Sequence, residues 1–368
     1  MDNKILMNIC ACFQFEGKVK TVRPLGEGLI NDTFFVETIG NSTNYILQRK
    51  NKNIFPNIPA MMNNIYKVTV HLKNKIIETG GDPLREALTL VPAKDGKYYH
   101  KKEHDYWAAC LFIEDTITHQ SASSLELACQ GGKGIGKFQS MLSDMKEPLD
   151  DILPGFHNIK FRFEQWDQAM ENDKAGRVKQ LQTEISWVEK YRNEMLDFYS
   201  KIETGIIPSR VTHNDTKISN ILFDKSGNIL CIIDLDTVMN SSCLYDYGDA
   251  IRSYANAGLE DDRNTANVFL KTDVFEAYTK GYLSEASSFL TREEINCLAF
   301  SAKYITFEQT LRFLMDYING DSYYRINYDK HNLVRTHAQY RLLESIEENY
   351  IHMCETITKL LATKQEDK

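Results

Sequence analysis

The chain has 368 residues, 42% of them hydrophobic and 26% charged, which excludes disorder and leaves room for two lobes with cores of their own. Its net charge of −8, with no long basic run, argues against a nucleic-acid partner or an anionic membrane surface. Eight scattered cysteines form no CxxC pair, which argues against zinc, and no apolar run nears the roughly 20 residues of a membrane span.

In chain order, residues 18–25, 33–38 and 44–49 are β-biased runs separated by Gly and Asn clusters, as hairpins require. The N-terminal segment before them lacks the charged-then-apolar layout of a signal peptide, so the cytoplasm is the expected location. Between the first two runs lies Gly26-Glu27-Gly28-Leu29-Ile30-Asn31. Its small residues would let backbone amides approach a phosphate, although a plain hairpin turn explains the letters more simply. The pattern predicts a helix over about 61–78 and strands over 88–92 and 106–113, the last ending at Phe112-Ile113-Glu114-Asp115.

After Glu114 the character turns helical, which puts the expected lobe boundary near 114–120. Gly131-Gly132-Lys133-Gly134-Ile135-Gly136 imitates a dinucleotide fingerprint. It follows no strand and runs into Phe138 and Met141 at helical spacing, so close helix packing is the expectation. Apolar residues recur at helical spacing over 178–202, with Gly205 as a stop, and again over 342–360. Between these helices, residues 220–223 and 230–234 are apolar bursts joined by Asp224-Lys225-Ser226-Gly227, a hairpin signal.

That hairpin follows Thr212-His213-Asn214-Asp215-Thr216-Lys217-Ile218-Ser219-Asn220 and contains Ile233-Asp234-Leu235-Asp236. An Asp, an Asn five residues later and an Asp on the next hairpin strand are what phosphoryl transfer needs. One carboxylate takes the proton of an attacking hydroxyl. An amide oxygen and the second carboxylate hold a metal that offsets phosphate charge. Singly, each residue is more simply a turn or a cap; jointly, at this spacing, they are not.

These HxDxxxxN and IID segments resemble the aminoglycoside phosphotransferase and choline kinase group. The resemblance implies an α+β, bilobal protein-kinase-like fold, with a small β-rich nucleotide-binding lobe over 1–115 and a larger helical catalytic lobe over 116–368. It implies Asp215 as catalytic base in contact with the substrate, Asn220 and Asp234 as magnesium (Mg2+) ligands, and ATP as co-substrate. His213 would brace the loop. The nucleotide would meet Gly26, Gly28, Asn31, Gln48 and Glu114.

Tyr45-Ile46-Leu47-Gln48, Tyr247-Gly248-Asp249-Ala250-Ile251-Arg252, Arg312-Phe313-Leu314 and His331-Asn332-Leu333-Val334-Arg335-Thr336 resemble the branch of that group that phosphorylates the anomeric hydroxyl of N-acetylglucosamine or N-acetylgalactosamine. Arg312 and Tyr323 would then bind the sugar, against simpler readings as an ion-pair partner and a half-buried ring. Kinase-like folds usually carry a lysine where this chain has Gln48, and that branch also has Gln there. Alternation turns Arg49 to the opposite face, while Lys50 shares the face of Gln48. Rival readings are a kinase of the same fold acting on an aminoglycoside, choline or homoserine, and a silent kinase-like binding protein.

Overall fold

The β-branched and aromatic runs of the first third build one antiparallel sheet in this computed structural model, which describes residues 2–26, 30–40 and 43–366, the side chains of the last three excepted. Its strands are β1 (Val19–Pro24), β2 (Asp32–Thr38), β3 (Tyr45–Lys50), β4 (Leu90–Val91), β5 (His100–Lys102) and β6 (Asp105–Leu111). They run in the order β1-β2-β3-β6-β4, with β5 pairing β6. In β3, Tyr45 and Leu47 point inward into a core with Val36, Val91, Trp107 and Ala109, to which α1 (Asn3–Cys10) adds Leu6 and Ile9. Neither α1 nor β5 was expected from the sequence.

Helix α2 (Ile58–Glu78) opens with Pro59 just after an Asn57 cap and buries Met61, Ile65, Val68 and Leu72 at the spacing expected. The remaining strands are β7 (Arg210–Thr212), β8 (Ile221–Phe223), β9 (Ile229–Ile232) and β10 (Met239–Ser241). The remaining helices are α3 (Leu125–Leu142), α4 (Ile159–Asn172), α5 (Gln182–Glu203), α6 (Cys243–Tyr254), α7 (Thr272–Ala286), α8 (Arg292–Ile318), α9 (His331–Glu348) and α10 (Tyr350–Glu366). The chain divides into two compact units. One holds Met1–Thr118, Met141–Leu153 and Asn220–Asn240; the other holds His119–Ser140, Pro154–Ser219 and Ser241–Lys368.

Two expectations are refined. The repeat over 342–360 belongs to two helices that meet at Asn349, whose side-chain amide also donates to the Ser345 carbonyl at 2.8 Å. The glycine-rich segment lies inside α3, as helix packing predicts. A Cβ on Gly132 would sit 2.1 Å from the Tyr278 carbonyl oxygen, and one on Gly281 of α7 would sit 1.9 Å from that of Cys129. Glycines on both helices let the two backbones touch. The core of the second unit is α8, which begins with a Thr291–Glu294 capping box and is buried on nearly every side. Among the described residues no helix is long and apolar enough to cross a membrane.

Candidate active site

In the first unit, β8 and β9 pair antiparallel with Ile221 opposite Ile232, and the Ile233 N–H donates to the Asn220 carbonyl at 2.9 Å. This register brings Asn220 and Asp234 to the same open end of the hairpin. The Ile117 and Phe223 backbones exchange two hydrogen bonds of 2.9 Å, which ties the hairpin to the end of the N-terminal segment. Asp234 adopts the left-handed region (φ 61°, ψ 53°) and leads into a tight turn over Leu235–Thr237. An amide oxygen and one carboxylate suit a hard divalent cation that keeps water and phosphate oxygens as its other ligands. Among the described residues no cluster of three or more His, Cys, Asp or Glu side chains forms a full cage.

On β3 the alternation holds. Arg49 pairs with Asp32 and, at 3.4 Å, Asp105, while Lys50 turns to the face of Gln48 and is 5% exposed. The Lys50 ammonium donates to Gln48 Oε1 and to Asp236 Oδ1, each at 2.6 Å. Asp236 also accepts from Asn31 Nδ2 at 2.7 Å, and Asn31 Oδ1 accepts from the Asn51 N–H at 3.1 Å. The structure thus joins Gln48 and Asn31 through Lys50 and Asp236, two residues outside the predicted set. Gly26 has a φ of +69°, which favours glycine; Gly28 lies outside the described residues. Glu114 is exposed three residues beyond β6 and accepts from Asn44 Nδ2 at 2.8 Å.

In the second unit, the loop after β7 is organised around Asp246, in the first turn of α6. Its fully buried carboxylate accepts from the His213 N–H (2.9 Å), the Asn214 N–H (2.6 Å) and Gln139 Nε2 (2.8 Å). Burial raises its pKa, and the His213 ring and these donors pull the other way. The Thr216 hydroxyl donates to the Asp246 carbonyl at 2.7 Å. His213 packs edge-on to Phe138, and its Nδ1 accepts from the Asp215 N–H at 3.2 Å. The Lys217 ammonium lies 2.9 Å from Asp215 Oδ1. Desolvation works against that ammonium, but Asp215 and Asp249 outweigh it and raise its pKa. Lys217 stands inside a segment the sequence singled out and Asp246 directly precedes another, yet neither was assigned a role.

The same unit contains a cavity of about 330 Å³ between α4, α8 and the segment after α8. Arg312 and Tyr323 both line it, with Arg162, Gln165, Asp316 and Tyr324; Asp215 does not. The Arg312 guanidinium sits 5.5 to 5.9 Å from the rings of Phe156, Tyr324 and Tyr323. Arg162 is committed to Glu308 (3.4 Å) and the Phe156 carbonyl (2.7 Å). Asp316, the only carboxylate among the lining residues, is spent. Oδ1 accepts from the Ser322 and Tyr323 N–H groups and Oδ2 from the Tyr324 N–H and Asn332 Nδ2, all at 2.8 to 2.9 Å. Four donors fill the capacity of a carboxylate.

A family model, the phosphotransferase enzyme family (APH), matches residues 21–279. The chain belongs to that family. As a member it is a small-molecule phosphotransferase with an alcohol acceptor, of the kinase-like α+β fold that the motifs implied. Among solved structures it is similar to a microcompartment-associated aminopropanol kinase, at 15% identity over 95% of this chain and 98% of that one, with a TM-score of 0.64. It is similar to a spectinomycin phosphotransferase bound to ADP and spectinomycin, at 11% identity over 95% and 98%, TM-score 0.60. The ethanolamine kinase of Plasmodium vivax matches at 15% identity over 90% and 84%, TM-score 0.54. At these identities the likeness is one of fold. The phosphotransferase match spans β1 through most of α7 and ends before α8, so Arg312, Asp316 and Tyr323 lie beyond it.

Proposed function

We propose that this phosphotransferase is an ATP- and magnesium-dependent N-acetylhexosamine 1-kinase, which phosphorylates the C1 hydroxyl of N-acetylglucosamine or N-acetylgalactosamine. The observation that carries the choice of acceptor is the charge of the cavity in the second unit. It is lined by two guanidiniums and by side-chain amides, and its one carboxylate is saturated by four donors. A cationic acceptor such as choline, ethanolamine or an aminoglycoside would find no spare acid there and would meet like charge. A neutral sugar with hydroxyls and an acetamido group suits donors of this kind.

In this reading Asp215 accepts the proton of the C1 hydroxyl as that oxygen attacks the γ-phosphate in line. His213 and Asp246 hold the loop that carries Asp215, and Lys217 orients the Asp215 carboxylate. Asn220 and Asp234 would hold the magnesium ion, which supplies charge neutralisation at the nucleotide phosphates. Arg312 and Tyr323 bind the sugar, and the sheet-bearing segment with Gly26, Asn31, Gln48 and Glu114 binds the nucleotide.

The test is ADP release from purified protein against a panel of sugars and amino alcohols, with the product identified by phosphorus NMR. Turnover of an N-acetylhexosamine to an anomeric phosphate, with choline, ethanolamine and kanamycin inert, is the expected result. Turnover restricted to the amines would replace the acceptor while keeping the chemistry.

A further inference from the structure

The buried Lys50–Asp236 pair has no part in the mechanism above. Its two side chains are 3% and 7% exposed, and its partners sit 186 residues apart in sequence. A buried ion pair is weak evidence for stability as such, because well-packed apolar side chains often serve as well; its stronger use is to select one arrangement. What this pair can select is the turn over Leu235–Thr237. The Asp234 backbone, which leads into that turn, occupies the left-handed region, uncommon for a residue other than glycine. The turn is tied to the rest of the unit two residues further on. Asp236 offers one oxygen to Lys50 on β3 and the other to Asn31 just before β2, and Asn64 of α2 donates to the Val238 carbonyl at 3.0 Å.

We propose that Lys50 and Asp236 are positioning residues: their ion pair anchors the turn to β3 and so aims Asp234 at the divalent cation. The proposal rests on the reading of Asn220 and Asp234 as cation ligands. Lys50 thereby stands in for the lysine missing at Gln48 by fixing a metal ligand.

The measurement is the affinity for Mn2+ in saturating ADP, followed by electron paramagnetic resonance, beside the ADP affinity in EDTA. Lys50→Met/Asp236→Leu removes both charges together, and Asp236→Asn changes the pair with little change of shape. The expected result is a loss of about tenfold or more in Mn2+ affinity, the usual cost of disturbing a group that orients a ligand. Metal-free ADP affinity falls by less than the Mn2+ affinity, and Lys50→Arg keeps most of the Mn2+ affinity; an equal fall in both would overturn the proposal. Wild-type Mn2+ affinity in whichever of the two variants melts cooperatively would overturn the proposal. Failure of the unmodified protein to bind Mn2+ with ADP would overturn the ligand reading and the proposal with it.

Discussion

The Asp215 N–H donates to His213 Nδ1 within its own loop, and the Lys217 ammonium two residues on lies 2.9 Å from its carboxylate. Such local wiring is why the spacing of the motif carries so much chemistry. Asp215→Asn keeps shape and removes the proposed base. Turnover should fall about 10²- to 10⁴-fold while ADP affinity is unchanged, as expected when a general base is lost. Steady-state kinetics beside a nucleotide titration checks this, and near-wild-type turnover would remove Asp215 from the role. The residues that sequence reasoning passed over have distant partners. Asp246 reaches back 33 residues to His213, and Asp236 reaches 205 residues to Asn31. Nothing local distinguishes those two carboxylates from any other acid in a turn or a first helical turn.

Among the elements, α5, α8 and α9 are clamped by Glu347. Its carboxylate accepts from the Tyr191 hydroxyl at 2.7 Å and meets Lys190 at 3.0 Å and Lys303 at 3.2 Å. Burial alone would raise its pKa, but the hydroxyl and the two ammonium groups outweigh that and bring it to about 2, from 4.5. A depressed carboxylate pKa means that the unfolded chain binds the extra proton first. The stabilisation is therefore complete above about pH 4.5 and is lost as pH falls toward 2. The gap in melting temperature between wild type and Glu347→Gln should be widest above that window and close within it; a gap independent of pH would refute the clamp. Helix α8 itself escaped the sequence pattern. It is buried on nearly all sides and carries Lys303, Glu308 and Asp316 inward, so it has no single apolar stripe for periodicity to find. Helix α2 has such a stripe, and it was legible to within three residues at its start.

At the scale of the whole chain, the proposed binding of magnesium and ADP would be linked to folding. At about 100 times its Kd the complex should add about 2.7 kcal/mol to the folded state. A thermal melt with ADP should therefore rise on adding magnesium and fall back with EDTA, while EDTA alone leaves the unliganded melt in place. An ADP-induced rise that survives EDTA undiminished would count against a cation at Asn220 and Asp234.

Sequence alone carried the kinase-like fold, the hairpin after the His213–Asn220 segment and the reaction class. Those features depend on short-range order: turn letters, strand alternation and a motif whose members all lie between His213 and Asp234. Only the folded chain decided that the Asp316 carboxylate is filled by three backbone N–H groups and the Asn332 amide, that Lys50 belongs to Asp236, and that Arg312 and Tyr323 share one cavity. Each of these depends on a side chain meeting groups that no local spacing brings near. The charge that a site presents is what remains after such neighbours have taken their share.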